Sequence, residues 1–243
     1  MCVLKSTFFI LAITVLMAVL SCTSGNSDTI PSPEADTAEQ GSGLRLPEPQ
    51  YDSEFSIEQS LFKRRAVRDY TDEPLTIGEV SQLLWAVQGI TDSRGLRTSP
   101  SAGATYPLEI YLVAGNVLQL KPGVYRYRPS GHSLDKVIED DVRADLAEAA
   151  LMQTWMEDGA VMIVITAVYE RTTRRYGERG IRYVHMEAGH AAQNLYLQAT
   201  AMELGTVVVG AFQDDQVAGI LQLSQDERPL YLIPVGKCRA SKG

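Results

Sequence analysis

Cysteine and histidine are scarce in this chain, and each shortage excludes a chemistry. Of 243 residues only three are cysteines, and two of them, Cys2 and Cys22, lie within the first 22 positions. Cys238 is left alone in the body, so no disulfide can staple it. A lone cysteine on a strand end is more often ordinary packing than a reactive thiol. The three histidines, His132, His185 and His190, are too few and wrongly spaced for a metal centre. His185 and His190 stand five apart on one predicted helix, about 140° apart around its axis. No metal is expected. The chain also lacks a Gly-x-Ser-x-Gly elbow and a phosphate loop ending in Gly-Lys-Ser/Thr, which removes the commonest nucleophile and nucleotide devices. No Gly-x-Gly-x-x-Gly follows a predicted strand, so there is no Rossmann pocket for nicotinamide. A nicotinamide reductant would have to stack transiently over another cofactor. Basic charge is short as well: 22 Lys and Arg face 30 Asp and Glu, a net charge of −8. Neutralising a nucleic-acid backbone needs a broad basic surface, so no nucleic-acid partner is expected.

What is present begins with a targeting segment. Lys5 precedes the apolar run Phe8–Leu20, which is short for a membrane span. The run ends in Val-Leu-Ser-Cys, and a cysteine directly after a small residue resembles a bacterial lipobox. That implies cleavage of residues 1–21 as a signal peptide and lipidation of Cys22. Thr23 stands where an inner-membrane retention signal would want Asp, so the expected address is the cell envelope, on the periplasmic face of the outer membrane. Several acyl chains, each methylene worth ~0.8 kcal/mol, would anchor the chain firmly. Residues 22–53 are rich in Ser, Thr, Pro, Gly and acids, with almost nothing to bury, and are expected to form a flexible tether. Residues 54–243 are expected to form the single folded domain; at 45% hydrophobic content the chain has material for one ordinary core.

Within that domain, helices are predicted over Ser56–Ala66, Thr76–Val87, Val142–Met152 and Arg182–Leu204. Thr76 with Glu79 is a capping box, and Gly89 stops the second helix. Strands are predicted at Leu108–Val113, Ala160–Ala167, Thr206–Val209 and Tyr231–Val235, with a hairpin of Gly123–Arg128 and Ser133–Ile138 turning at Pro129–Gly131. The continuous β-branched run Ala160–Ala167 reads as a buried central strand. Elements mix without βαβ repetition, so the class is α+β. One stretch organises the rest. Leu61–Tyr70, LFKRRAVRDY, sets Arg64, Arg65 and Arg68 at the end of the first predicted helix, with Arg64 and Arg68 on one face. Clustered like charges repel, and an anion gripped by planar, permanently charged forks would offset the cost. A solvated basic face is the plain alternative.

Four further segments give the cluster its meaning: SPSAGATYPLEIYLV (Ser99–Val113), AGHAAQNLYLQATAMELG (Ala188–Gly205), VVVGAF (Val207–Phe212) and LYLIPVGKCR (Leu230–Arg239). In that order, together with the arginines, they resemble the flavin-dependent nitroreductase superfamily and its SagB-type branch, stand-alone dehydrogenases related to azoline oxidases of peptide biosynthesis. The resemblance implies a nitroreductase-like fold, a central mixed or antiparallel β-sheet flanked by helices, dimeric, holding FMN. It implies that Arg64 and Arg65, with Lys237 and Arg239, hold the FMN phosphate. Arg68 would lie by the pyrimidine edge, where positive charge stabilises the reduced ring. Ala66 departs from the family's usual serine and loses one hydroxyl contact. Pro100, Ser101, Ala102 and Gly103 would form the loop beneath the isoalloxazine, small so that backbone can approach the flat ring. Val209, Gly210 and Ala211 would supply backbone N–H near flavin N5. Gln193 and Asn194 would lie near the flavin or the interface of a homodimer. In azoline-oxidising members a Lys-Tyr pair precedes the long helix; here it reads Arg175-Tyr176, and a permanently protonated arginine cannot act as a base. The implied activity is therefore hydride transfer from a reduced donor such as NAD(P)H through FMN to a quinone, nitro compound or similar acceptor. An azoline or peptide dehydrogenase, and an envelope-tethered flavin-binding module without activity, are the alternatives.

Overall fold

The run Val161–Val168 is apolar and β-branched, and all eight of its residues are buried. A strand covered on both faces belongs at the centre of a sheet. The computed structural model, which describes residues 43–239, places it there. In chain order the elements are β1 (Leu44–Arg45), α1 (Ile57–Lys63), α2 (Ile77–Gln88), β2 (Leu108–Ala114), β3 (Gly123–Arg128), β4 (Ser133–Ile138), α3 (Arg143–Ala149), β5 (Val161–Val168), α4 (Glu170–Tyr176), α5 (Arg179–Ala201), β6 (Leu204–Thr206), α6 (Asp214–Ile220) and β7 (Glu227–Lys237). The strands make one seven-stranded sheet, β1-β4-β3-β2-β5-β7-β6. Every pairing is antiparallel.

Alternation along β5 splits the core in two. Val161, Ile163, Ile165 and Ala167 pack with α2 and α5 on one side. Met162 and Val164 point to the other, against Leu146 of α3 and Val217 of α6. Burying each such aliphatic side chain is worth about 1.5–3 kcal/mol. The spine of the first layer is α5, 23 residues long. Its stripe Val184, Ala188, Ala191, Leu195 and Ala199 is fully buried or nearly so, and the alanines let the helix lie close on the sheet.

Local chemistry explains the boundaries that match expectation. Glu79 N donates to Thr76 Oγ1 (3.2 Å) and Thr76 N donates to Glu79 Oε2 (2.7 Å), closing the capping box at the start of α2, and Gly89 caps its end. The hairpin turns at Pro129–Gly131, as its turn residues require.

Other boundaries differ. The first helix stops at Lys63, with Arg64 as its cap at φ −51°, ψ 122°. Residues beyond it run extended, and Val67 N donates to Thr206 O across to β6 (3.0 Å). Arg64 and Arg68 therefore do not share a helical face; a backbone group committed to a sheet edge cannot also continue a helix. The third helix ends at Ala149, because Leu151 and Met152 both adopt positive φ (58° and 62°). Pairing in the last short strand covers Leu204–Thr206, and Val209 makes only an isolated bridge to Leu232. Two short helices, α4 and α6, carry no strong apolar periodicity and are found only in the structure. So is β1, which pairs with Leu134 and Ser133, while Leu46 behind it is buried. The described fold thus includes residue 43, eleven residues before the expected domain start at 54. The expected signal segment, Cys22 and the tether up to residue 42 lie outside the described residues.

Candidate cofactor site

Two basic motifs, one from each end of the chain, are drawn together by backbone. Val67 N bonds to Thr206 O, Thr71 N to Lys237 O (3.0 Å) and Arg239 N to Asp69 O (3.4 Å), and Tyr70 bridges Cys238. Segment 64–71 is in effect laid along the end of β7. Within it the arginines spread in different directions. The Arg64 guanidinium stacks over the Tyr196 ring of α5, 5.0 Å from its centroid. Arg68 stacks over Trp155 at 5.4 Å. Arg65 Nη1 donates to the carbonyls of Phe62 (3.0 Å) and Arg64 (2.8 Å). Among the described residues none of the three has a carboxylate partner. The two C-terminal cations differ. Lys237 is bonded to Glu79, and Arg239 pairs with Asp69 at 3.1 Å. Burial pushes the Glu79 carboxyl up, but the bonds from Lys237 and Thr76 outweigh it and hold it below the usual carboxylate range. An anion arriving at Lys237 would have to compete with Glu79.

The segment Val207–Phe212 leaves β6 and runs past Leu232. Val208 N donates to the Tyr196 hydroxyl (3.0 Å), and Val209 exchanges both bonds with Leu232 (2.9 Å each). After that the ladder ends. Gly210 and Ala211 are exposed, and their N–H groups have no acceptor among the described residues. The Ala211 carbonyl is held instead by Gln153 Nε2 (3.4 Å). The turn after α3, which carries Gln153 and Trp155, therefore braces both Arg68 and the 209–211 segment.

The third part is the loop Ser99–Tyr106. Asn194 of α5 fastens its start, donating to Thr98 O (3.2 Å) and Ser99 Oγ (3.1 Å). Pro100 and Gly103 are exposed, with Ser101 and Ala102 half-buried between them. Gly103 has φ 62°, a left-handed conformation that favours glycine. A Cβ there would lie 2.6 Å from the Tyr176 hydroxyl and 3.0 Å from Arg175 Nη1. The Arg175-Tyr176 pair at the end of α4 is thus pressed onto this loop. Tyr176 packs edge-on against Tyr183 (5.2 Å). Gln193 is exposed on α5.

Beneath the loop lies a polar cluster that motif reading does not find. Glu187 of α5 is 2% exposed. Burial pushes its carboxyl up to about 7, against the opposing pull of the Ser101 hydroxyl and the Arg97 charge. Arg97 donates to Gln88 Oε1 (2.8 Å) and stacks on Tyr106 (4.4 Å). Glu187 Oε1, Arg97 Nε and Gln88 Nε2 are buried without a partner. A signal existed in the sequence: Glu187 interrupts the apolar stripe of α5, between Val184 and Ala191. Tyr196, Gln153 and Trp155 offered none, because each is recognisable only by what it touches. No group of three or more His, Cys, Asp or Glu among the described residues could hold a metal.

Comparison with known proteins completes the description. Residues 61–237 match the nitroreductase family profile. A Methanocaldococcus jannaschii protein bearing a nitroreductase description is 51% identical over 184 residues, covering 76% of this chain and 92% of that protein. The trifolitoxin operon protein TfxC of Rhizobium leguminosarum bv. trifolii is 27% identical over 220 residues, 84% of this chain and 62% of that protein. A crystal structure from Ralstonia eutropha JMP134, also described as a nitroreductase, superposes with a TM-score of 0.70 at 27% identity, covering 81% of this chain and 90% of that one.

Proposed function

Since this chain belongs to the nitroreductase family, an oxidoreductase family by its name, we propose that it is an FMN-dependent oxidoreductase passing hydride from a reduced nicotinamide to a quinone, nitro compound or similar acceptor. One observation carries the FMN assignment. Three arginines within five residues lack any acidic partner among the described residues, on a chain that carries eight more acids than bases. Unpaired guanidinium forks beside a sheet end fit a phosphate, which takes several charge-assisted donors. The exposed N–H groups of Gly210 and Ala211 fit the polar edge of a flat ring, and the glycine-bearing loop 100–103 leaves room for one to approach.

Bound FMN would supply two-electron chemistry, accepting and returning hydride at its ring. The chain's own residues bind and orient. Arg64 and Arg65 hold the phosphate, and Lys237 and Arg239 join them by exchanging Glu79 and Asp69 for it. Arg68, braced by Trp155, places positive charge at the ring. Gly210 and Ala211 donate backbone N–H, while Pro100 to Gly103 supply the platform. Arg175 and Tyr176 edge that platform and would meet the substrate. Arg175 stays protonated, so it can orient an anion or an acceptor oxygen but cannot remove a proton. That disfavours azoline oxidation, even with a relative in a trifolitoxin operon.

Leaderless protein, residues 23–243, should purify yellow, release FMN on denaturation and scatter light as a dimer of about twice the domain mass. Colourless protein that stays so after incubation with FMN would overturn the FMN assignment, for the enzyme and for an inactive flavin-binding module alike. For the anchor, Cys22→Ser should shift the full-length chain out of the membrane fraction or block its processing. Normal processing with unchanged membrane association would rule out lipidation at Cys22.

A further inference from the structure

The cavity under the N-terminal segment, about 800 Å³ and lined by Tyr51, Trp85 and Gln198, has nothing to say what fills it. The buried cluster below the 100–103 loop says more. The geometry points to Glu187 as a proton-holding residue coupled to the cofactor: held against Ser101 on the ring-facing loop, its carboxyl takes up one proton when bound flavin is reduced and gives it back on reoxidation. This rests on the FMN assignment above, and Glu187 acts through the loop without touching the ring.

Three features carry it. Glu187 is enclosed, and one carboxyl oxygen has no protein partner, so its charged form is unusually costly. It lies beside Ser101, whose hydroxyl accepts from Tyr106 N at 2.9 Å and is so held to the fold of the loop. It is also poised, since burial brings it to about 7 and near half-protonation at neutral pH. Its surroundings do not neutralise it otherwise. From the segment after α2, Arg97 is the one charge that bears on it, and Arg97 is shared with Glu109 and Tyr106 and repelled by Arg171. From β2, Glu109 is already paired with Arg126 (2.9 Å) and Arg171 (2.6 Å). From α4, Arg175 and Tyr176 turn to Gly103.

The proton and electron count closes. Hydride from the nicotinamide adds one negative charge to the flavin, and the carboxylate takes one proton from solvent. The acceptor then leaves with the hydride and one proton, so donor, acceptor and one proton give oxidised donor and reduced acceptor. A negative charge arriving near a buried carboxyl raises its proton affinity, and by reciprocity the protonated carboxyl favours reduction.

The test is the midpoint potential of the FMN-loaded protein, followed across neutral pH with proton uptake measured by an indicator dye. Wild type should take up as much as one proton more per electron pair than Glu187→Gln, whose pH dependence should be flatter. Glu187→Asp should restore part of the uptake, and Ser101→Ala, which leaves the carboxyl in place, should weaken it. A flavin-loaded Glu187→Gln with the wild-type slope would overturn the coupling alone. Failure of wild type to bind FMN would overturn the cofactor assignment and the coupling with it. Should Glu187→Gln not fold, an infrared carboxylic-acid band in wild type that changes on flavin reduction decides the matter; no such change overturns it.

Discussion

Arg64→Ala is expected to weaken FMN binding by roughly 10- to 100-fold and to leave riboflavin, which has no phosphate, bound as in the unaltered protein. A charge-assisted hydrogen bond contributes about 1.5–3 kcal/mol, and ~1.4 kcal/mol is a tenfold change in Kd. The structure makes the substitution clean. The cap at the end of α1 uses the backbone N–H of Arg64, bonded to Ser60 O at 2.9 Å, which alanine keeps. Losing the stack on Tyr196 costs the fold about 0.5–1 kcal/mol, because the site is half-exposed. Arg68→Ala separates the second role. Its effect should fall on the flavin reduction potential, which drops when positive charge leaves the ring edge, with a smaller change in retention. Isothermal titration with both ligands, beside a redox titration of Arg68→Ala, makes the comparison. Equal weakening of FMN and riboflavin by Arg64→Ala would make that arginine a fold residue and end its assignment to phosphate.

Gly205→Ala should disturb both basic motifs with one methyl group. Gly205 sits in β6 with an unstrained φ, so conformation alone permits a side chain there. Space does not. Its Cβ would lie 2.7 Å from Val67 Cγ1 and 2.9 Å from Cys238 Sγ. Those residues belong to the two segments that carry Arg64–Arg68 and Lys237–Arg239, so relief of the clash must push the segments apart. Overpacking of this kind costs about 1–3 kcal/mol, and a domain this size loses about 2–4 °C of Tm per kcal/mol. FMN affinity should fall together with Tm. Val67→Ala added to Gly205→Ala should recover much of both losses, since it removes the nearest obstacle. Wild-type affinity in Gly205→Ala would mean that the phosphate site does not depend on the two motifs keeping their spacing.

The sequence foretold elements whose causes are local and missed those whose causes are not. The capping box at Thr76 and Glu79, the Pro129–Gly131 turn and the buried run at Val161–Val168 each carry their reason within a few residues. The end of the first helix does not. Nothing in Arg64–Val67 forbids helix, and only the bond from Val67 to Thr206, far along the chain, pulls the segment straight. The same holds for the candidate site. Its glycines and arginines could be named by resemblance, and the loop 100–103 does receive Arg175 and Tyr176. Yet the pairing of Lys237 with Glu79, and the gathering of Arg97 and Ser101 around Glu187, depend on contacts between elements that no spacing rule encodes.

The two ends of the sheet have a bearing on how copies of this chain meet. Its edge strands are stunted: β1 offers two residues and β6 three, while β7 beside β6 runs to 11. Prolines at 229 and 234 break the donor row of β7, and segment 67–71 with the Val209 bridge takes up part of what β6 leaves. On the far side, the outer row of β4 carries Asp135 and Lys136, charges that penalise an added strand. Strand-to-strand accretion, the usual hazard of an open antiparallel sheet, thus finds little to template on. The dimer proposed above would therefore have to use side-chain surface, and α1 presents Ile57, Leu61 and Phe62, each more than half exposed.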